Sequence, residues 1–315
     1  MAAVERVLDR TLRPVRGFSA NAGCISAKVV PTSPGKEANV EVRPRGHGLK
    51  RIGTVNTTAK GSKIIVAVEA RERGLTVRGS LPAGISGYET RFAYPDPVDL
   101  FGYGMLDSLA RAGVAIEGGF ERSRQVPAGR EVARLRTPIV SAFLPILRDS
   151  NNSVADQLFL FLGHRYAGEG TRAGGARAVA RALAGLGVDS DGWNQVDGSG
   201  LSKADRVRAD QLTALLAGVF QRADADALAL RQALPVAGES GTLRTRMRKG
   251  QAEGNVHAKT GWVEGASSLS GWAVTRGGRI LIFSILINYP RHPNLNTSVF
   301  KPMQDEICEA LASLR

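Results

Sequence analysis

The first 129 residues contain short apolar runs separated by Gly, Pro, Asn and Ser. Runs of this length, rich in β-branched residues and bounded by turn-forming residues, are typical of β-strands. Four of them predict strands over residues 25–30, 40–42, 64–68 and 75–77. Together they predict a small antiparallel β subdomain in this region.

The end of this region carries a different pattern. Asp96-Pro97 is a helix-start signal, and the apolar residues that follow it are spaced to form one helical face. This spacing predicts a helix over residues 98–112. A short apolar run at residues 114–116 predicts one further strand.

From about residue 130 the chain changes character, with helical periodicity first and strand-like runs later. Helices are predicted over residues 139–147, 154–165, 171–186, 208–220 and 298–314. Strands are predicted over residues 256–263, 267–273 and 279–287, with Gly277-Gly278 as the turn between the last two. This order of elements indicates an α+β fold in which a helical cluster packs on an antiparallel sheet.

Composition narrows the class of protein. The chain has 315 residues, 43% of them hydrophobic and 23% charged, which is typical of a globular protein. Its net charge of +13 fits nucleic acid, an anionic membrane or an anionic polymer such as cell wall. The arginines are spread along the chain, and no zinc-finger spacing or aromatic-basic RNA signature occurs. Nucleic acid is therefore not predicted as a partner.

Targeting and cysteine signals are sparse. Residues 1–16 mix charged and apolar positions without an apolar centre, so they do not read as a secretory signal. The apolar stretch at 280–287 is too short to span a bilayer and predicts a buried strand instead. Cys24 and Cys308 lie far apart and form no Cys-x-x-Cys, and the sequence does not decide whether they pair.

Two short motifs carry candidate chemistry. In Lys259-Thr260-Gly261, at the start of a predicted strand, the ammonium and hydroxyl groups suit a substrate carboxylate. Gly261 would let a substrate backbone approach the strand edge, and the backbone N–H of Trp262 could serve an oxyanion hole. An ordinary strand start is the alternative for this motif taken alone.

The second motif is Ser150-Asn151-Asn152, just before a predicted helix. Ser150 could cap the helix and could also pass a proton. The Asn152 amide could hold a peptide carbonyl and a peptide N–H at once. A plain helix cap with a polar turn is the alternative here.

Both motifs belong to the set found in penicillin-recognising serine enzymes. Their surroundings resemble the D-alanyl-D-alanine carboxypeptidase/endopeptidases of the class C low-molecular-mass penicillin-binding proteins, the DacB type. The matching segments keep the family's order and are residues 149–152 with 155–158, 196–202, 234–238 with 241–244, and 258–261 with 267–271.

The resemblance implies a penicillin-binding/β-lactamase-like transpeptidase domain over residues 130–315, N-terminally incomplete. A β-rich inserted region over residues 1–129 would precede it. A compact serine β-lactamase is a related alternative, but the long β-rich segment before the second motif argues against it.

The resemblance also implies roles. Lys259 and Thr260 would bind the terminal carboxylate of D-alanyl-D-alanine, Ser150 would help move a proton to the leaving amine, and Asn152 would hold the peptide amide. Peptidoglycan peptides and β-lactams would be the ligands, the location would be periplasmic, and neither metal nor organic cofactor would be needed.

The third motif of such enzymes is Ser-x-x-Lys, which carries the nucleophilic serine. Only Ser33-Pro34-Gly35-Lys36 and Ser298-Val299-Phe300-Lys301 match it. Pro and Gly disfavour a helical turn in the first, and the second follows Lys259 instead of preceding Ser150. The nucleophile is therefore expected to be missing from this chain, either because an N-terminal stretch is absent or because the protein binds cell-wall peptides without hydrolysing them.

Trp262 is a further departure from the resemblance, since relatives usually carry a small hydroxyl residue there. A bulky indole could narrow the cleft or change substrate preference. Asp197 and Ser199 are expected to form a turn that supports the cleft wall, and His257 is expected to have a structural role.

Overall fold

A computed structural model describes residues 23–71, 74–123, 129–131, 134, 136–290, 292 and 294–315. The chain divides between Val132 and Ala133 into two compact units. The interpretation of residues 1–129 as an inserted region and of 130–315 as a partial peptidase domain stays a prediction.

The first unit contains two sheets and a helix, α1. Its strands are β1 (Cys24–Val30), β2 (Asn39–Arg43), β3 (Lys50–Ile52), β4 (Val55–Thr58), β5 (Ile65–Arg71), β6 (Gly74–Pro82) and β7 (Tyr88–Ala93). In one sheet β1 pairs antiparallel with both β2 and β7. The core of the unit is aliphatic and includes Ile25, Val29, Leu75 and Leu81, each at most 1% exposed.

The second sheet of this unit is mixed, so the prediction of a purely antiparallel subdomain is wrong. β5 pairs antiparallel with β6, whereas β3 and β4 pair with β6 in parallel. β6 is nine residues long, and β3 lies beside its start while β4 lies beside its end. Alternation of apolar and polar residues is the same in parallel and antiparallel strands, so the pattern does not indicate the relative direction of paired strands.

α1 (Pro97–Arg111) begins where the sequence predicts it. The Asp96 side chain accepts a hydrogen bond from Val98 N (2.9 Å), which caps the helix, and Pro97 occupies its first turn. The strand predicted over residues 114–116 is wrong. Val114 and Ile116 are 46% and 48% exposed, so apolar residue type there does not reflect burial in a sheet.

The second unit contains helices, one of which (residues 225–232) was not predicted, and a three-stranded antiparallel sheet whose central strand is the second of the three along the chain. Its helices are α2 (Asn152–Ala167), α3 (Arg172–Gly185), α4 (Ala209–Gln221), α5 (Ala225–Gln232) and α6 (Lys301–Ser313). Its strands are β8 (Val256–Val263), β9 (Ala266–Val274) and β10 (Ile280–Asn288). The hairpin between β9 and β10 closes at Gly278, whose φ of +78° is the left-handed conformation that glycine permits.

Two predicted helices differ in detail. Residues 139–147 form a 3₁₀ turn (Ile139–Ala142) followed by a π turn (Leu144–Arg148), because Pro145 lacks the N–H that a regular α-helix needs. Before α6 a π turn (Asn296–Phe300) replaces the start of the predicted helix.

One polar network fastens α6 to the rest of the second unit. The Arg246 guanidinium donates to Asp305 Oδ1 (2.6 Å and 2.9 Å) and to Gln304 Oε1 (3.1 Å). Gln304 is fully buried and donates to Ser267 Oγ on β9 (3.1 Å). The network therefore connects the loop before β8, the sheet and the C-terminal helix.

Gly271 of β9 leaves no room for a side chain against β8. A Cβ on this residue would lie 2.6 Å from Ala258 Cα and would collide with the His257 carbonyl. Gly271→Ala is expected to lower the free energy of unfolding by about 1–3 kcal/mol, because the two strands would have to separate. Chemical denaturation of the purified chain measures this change.

Gly185→Ala is the matched control. Gly185 ends α3, and a Cβ there meets no atom within 4 Å. The control is expected to leave stability unchanged or to raise it by up to about 1 kcal/mol. Equal stability of the two variants would contradict the close approach at Gly271.

Candidate active site

The Lys259 side chain leaves β8 and meets the turn that precedes α2. Its Nζ donates to Ser150 Oγ (2.8 Å) and to the Thr260 carbonyl (2.6 Å). Both partners are uncharged oxygens. Burial lowers the pKa of Lys259 from 10.5 to about 8, because the ammonium form loses hydration. Two residues separated by 109 positions in the sequence thus form one site.

Ser150 has a φ of +53°, in the left-handed region that non-glycine residues rarely adopt. The expectation that Ser150 caps α2 is wrong: the Asn151 side chain accepts from Val154 N (3.2 Å) and is the cap. Asn151 N also donates to the Pro145 carbonyl (2.8 Å), which closes the turn. The Ser150 hydroxyl is therefore available to Lys259.

Asn152 is the first residue of α2 and is half-buried. It lies two residues from Ser150, so its backbone is within about 7 Å of that residue. Its contact with a substrate amide stays a prediction.

Thr260 faces a turn that the sequence reasoning did not assign to the site. Its Oγ1 donates to Thr242 Oγ1 (2.8 Å). Thr242 lies in the 3₁₀ turn Gly241–Leu243. Gly241 has a φ of +55°, and a Cβ on it would lie 2.6 Å from the Arg148 carbonyl. This turn is therefore held against the chain that leads to Ser150. The signal that could have identified Thr242 was its place in the matching segment 241–244.

Gly261 and Trp262 follow on β8. Gly261 pairs with Ser268 of β9, and a Cβ on it would collide with Ser268 Oγ. A side chain at this position would therefore require the Ser268 hydroxyl to move. The Trp262 side chain is 53% exposed, and its Nε1 donates to the Tyr289 hydroxyl (3.1 Å). The roles of both residues toward a substrate stay predictions.

A loop at residues 197–202 is fastened to α2 by Asp156. Asp156 Oδ1 accepts from the backbone N–H groups of Gly198 and Ser199, both at 2.9 Å. A Cβ on Gly198 would lie 2.7 Å from Phe159 Cβ, so the loop packs directly on the helix. Asp156 lies one helical turn after Asn152, and the sequence reasoning did not single it out.

Asp197 orders the same loop from within. Its carboxylate accepts from Gly200 N (2.6 Å) and Ser202 N (2.9 Å). Burial first, and then the neighbouring Asp197 carboxylate, raise the pKa of Asp156 above its usual value. Asp197 and Ser199 do lie in a turn, as the sequence predicts.

His257 packs within the second unit. Its ring stacks on Trp272, with 4.8 Å between centroids and 9° between planes. Burial lowers its pKa. These contacts agree with a structural role.

Both Ser-x-x-Lys matches form local hydrogen bonds to backbone carbonyls. Ser33 and Lys36 are exposed in a turn closed by a bond from Lys36 N to the Ser33 carbonyl (3.0 Å). Ser298 Oγ donates to the Asn294 carbonyl (2.9 Å).

Both cysteines of the chain lie within the described ranges. Cys24 and Cys308 are buried and form no disulfide, and burial raises the pKa of the Cys308 thiol to about 12. Those ranges contain no group of three or more His, Cys, Asp or Glu side chains that could hold a metal ion. None of the helices described combines the length and apolar character needed to cross a bilayer.

The fold matches solved structures of a penicillin-binding protein. Penicillin binding protein 4 (dacB) from Haemophilus influenzae superposes with a TM-score of 0.73 at 22% identity, over 93% of this chain and 66% of that chain. Its complex with a novel β-lactam gives 0.72 at 21% identity, over 93% and 70%. The chain therefore has the penicillin-binding-protein fold, and the predicted α+β class is confirmed.

Sequence comparison gives the family. The model of the D-Ala-D-Ala carboxypeptidase 3 (S13) family matches residues 10–313, so the chain belongs to that family. A D-alanyl-D-alanine carboxypeptidase from Actinomadura is 34% identical over 289 residues, 88% of this chain and 53% of the relative. Carboxypeptidase DacB from Mycolicibacterium smegmatis is 30% identical over 168 residues, 51% of this chain and 36% of the relative. The chain thus spans about half the length, or less, of these relatives.

The Lys259 amine gives a pH-dependent prediction. Its pKa is about 8 in the folded chain and near 10.5 when unfolded, so the unfolded state binds more protons between these values and stability rises with pH there. Lys259→Met removes this rise. The stability of the variant relative to the parent is therefore expected to fall by on the order of 2 kcal/mol between pH 7 and pH 11.

Urea denaturation at several pH values measures the difference. Lys203→Met, at an exposed lysine of the same unit, gives the effect of removing an ordinary surface charge and is subtracted at each pH. A difference that does not change with pH would show that Lys259 is not buried as an amine.

Proposed function

We propose that this chain supplies the substrate-binding side of a serine-type D-Ala-D-Ala carboxypeptidase/endopeptidase that acts on peptidoglycan stem peptides. The observation that carries the proposal is the 2.8 Å contact between Lys259 Nζ and Ser150 Oγ in a member of the S13 family. It brings the Ser-x-Asn and Lys-Thr-Gly motifs to one point. The relatives' printed names support the reaction class.

The charged and polar groups of the site suit a peptide with a free C-terminal carboxylate. The Lys259 ammonium and the Thr260 hydroxyl bind that carboxylate by charge-assisted hydrogen bonds. Asn152 holds the preceding peptide amide. The edge of β8 at Gly261 and Trp262 lies alongside the peptide backbone. The backbone N–H of Trp262 donates a hydrogen bond to the oxyanion.

The Ser150–Lys259 pair suits proton delivery to the leaving group. Because Lys259 donates to Ser150 Oγ, the hydroxyl proton of Ser150 is free to pass to the departing amine of D-alanine. Ser150 then takes a proton from the Lys259 ammonium, and solvent reprotonates the Lys259 amine. A pKa near 8 makes this transfer less costly than it is for an ordinary lysine.

The nucleophilic serine lies outside this sequence in this proposal. It attacks the peptide carbonyl to form an acyl-enzyme, D-alanine leaves, and water releases the shortened peptide. The location is periplasmic, the partners are peptidoglycan peptides and β-lactams, and neither nucleic acid nor a cofactor takes part.

A second candidate is a relative that binds cell-wall peptides without hydrolysing them. It is favoured by the two Ser-x-x-Lys matches, one in an exposed turn and the other with its hydroxyl bonded to the Asn294 carbonyl. Sequencing the DNA upstream of Met1 separates the two. An in-frame Ser-x-x-Lys segment there supports the peptidase, and its absence supports the peptide binder.

Ligand-detected NMR titration tests the binding site that both candidates share. An N-acylated tripeptide ending in D-Ala-D-Ala is expected to bind as the free acid, and its C-terminal amide at least about tenfold more weakly, since the amide cannot accept a charge-assisted bond. Lys259→Met should weaken binding of the acid by about 10–100-fold, whereas the exposed control Lys203→Met should not change it. Equal binding of acid and amide would remove Lys259 from the carboxylate site.

Fluorescent penicillin tests where the nucleophile lies. After denaturing electrophoresis the chain is expected to carry no covalent label, because it lacks the attacking serine. Labelling that disappears in Ser33→Ala or Ser298→Ala would place the nucleophile within this sequence and would overturn the proposal that it lies outside.

A further inference from the structure

Thr242 lies closer to the carboxylate-binding residues than its place in the sequence indicates. Its hydroxyl is 2.8 Å from that of Thr260, which donates the hydrogen bond between them. A hydroxyl has one proton and two lone pairs, so Thr242 accepts from Thr260 and keeps its own proton for another acceptor. Thr242 is exposed, so a solute can reach this proton.

A closed chain of contacts links Thr242 to the residues around the amine. Lys259 contacts Ser150, and Arg148 lies two residues before Ser150. The Arg148 carbonyl is so near Gly241 that a Cβ would approach it to 2.6 Å. Thr242 follows Gly241 and bonds to Thr260, the neighbour of Lys259. The turn Gly241–Leu243 is therefore one wall of the site, fixed at both ends.

The turn is also anchored from behind. Gly238 N donates to the carbonyls of Leu243 (3.1 Å) and Arg246 (2.9 Å), and Leu243 is fully buried. Arg246 is in turn fixed by Asp305. A hydroxyl on a turn held in this way loses little freedom when it binds a ligand, which favours affinity.

The side chain of Trp262, the next residue on the same face of β8, has no spare hydrogen-bond donor for an anion. Side chains alternate along a strand, so Thr260 and Trp262 project from the same face. The side-chain N–H of Trp262 is already bonded to the Tyr289 hydroxyl (3.1 Å). Thr242 is thus the better-placed source of a second hydroxyl for an anion at Thr260.

We infer that Thr242 is a substrate-binding residue: its hydroxyl, polarised by the bond from Thr260, donates to the terminal carboxylate of the peptide. A hydrogen bond received from Thr260 makes the Thr242 proton a stronger donor. The Lys259 ammonium and the Thr242 hydroxyl then donate to the carboxylate, and Thr260 acts on it through Thr242, because its single proton is used in the bond to Thr242. This inference rests on the proposed function, because it assigns a residue to the same carboxylate site.

The test compares Thr242→Val with Thr242→Ser by the NMR titration of the tripeptide acid and its C-terminal amide. Thr242→Val keeps the shape and removes the hydroxyl, so binding of the acid is expected to weaken about tenfold while binding of the amide stays unchanged. Thr242→Ser keeps the hydroxyl and should bind the acid as the parent does. Thr245→Val, at an exposed threonine three residues away, is the control and should bind as the parent does.

The outcomes separate this inference from the proposed function. If the parent chain binds the acid in a Lys259-dependent way and Thr242→Val binds it equally well, the inference is wrong and the proposed function stands. Equal weakening of acid and amide would show that Thr242 only holds the turn, which also overturns the inference. If the parent chain binds the acid and the amide equally well, the inference and the proposed function are both wrong.

Discussion

The second unit depends on one energetically unfavourable arrangement, a buried amine held by neutral oxygens. Lys259 is compensated by the Ser150 hydroxyl and the Thr260 carbonyl, not by a carboxylate. Burial of a charge that is bonded only to neutral oxygens costs free energy, and it persists only where the surrounding fold fixes both partners. β8 fixes the lysine through its full pairing with β9, and the left-handed turn at Ser150 fixes the hydroxyl.

The supports of this contact come from distant parts of the chain. Asp156 joins the loop at residues 197–202 to α2, directly after the Ser150 turn. The turn that carries Thr242 packs against the Arg148 carbonyl, and Arg246 fastens the following residues to α6. Helix, loop, turn and sheet thus converge on the groups that would meet a peptide's C-terminus. A groove with fixed walls binds such a ligand at a lower entropic cost than a mobile one.

Much of this unit could be read from the sequence because its signals are local. The strand over residues 256–263 was predicted with its observed bounds, since apolar residues alternate along it and the Lys259-Thr260-Gly261 motif marks it. The assignment of Ser150 and Lys259 to one site came from family resemblance, not from periodicity, and their direct contact is seen only in the structure. Thr242 and Asp156 were missed because their partners, Thr260 and Gly198, are 18 and 42 residues away, and no short-range pattern contains such pairs. The parallel pairing of β3 and β4 with β6 was also missed, because these strands are distant from β6 in the sequence and alternation does not indicate strand direction.

Gly261 and Trp262 are adjacent on β8, but the space available to a side chain differs between the two positions. A side chain at Gly261 would collide with Ser268, whereas the Trp262 indole is 53% exposed and bonded through a single N–H. Residue 262 can therefore be replaced at little cost to folding, whereas a side chain at residue 261 would require the Ser268 hydroxyl to move. Under the proposed function, divergence of ligand preference among related chains would accumulate at position 262, where the architecture tolerates variation.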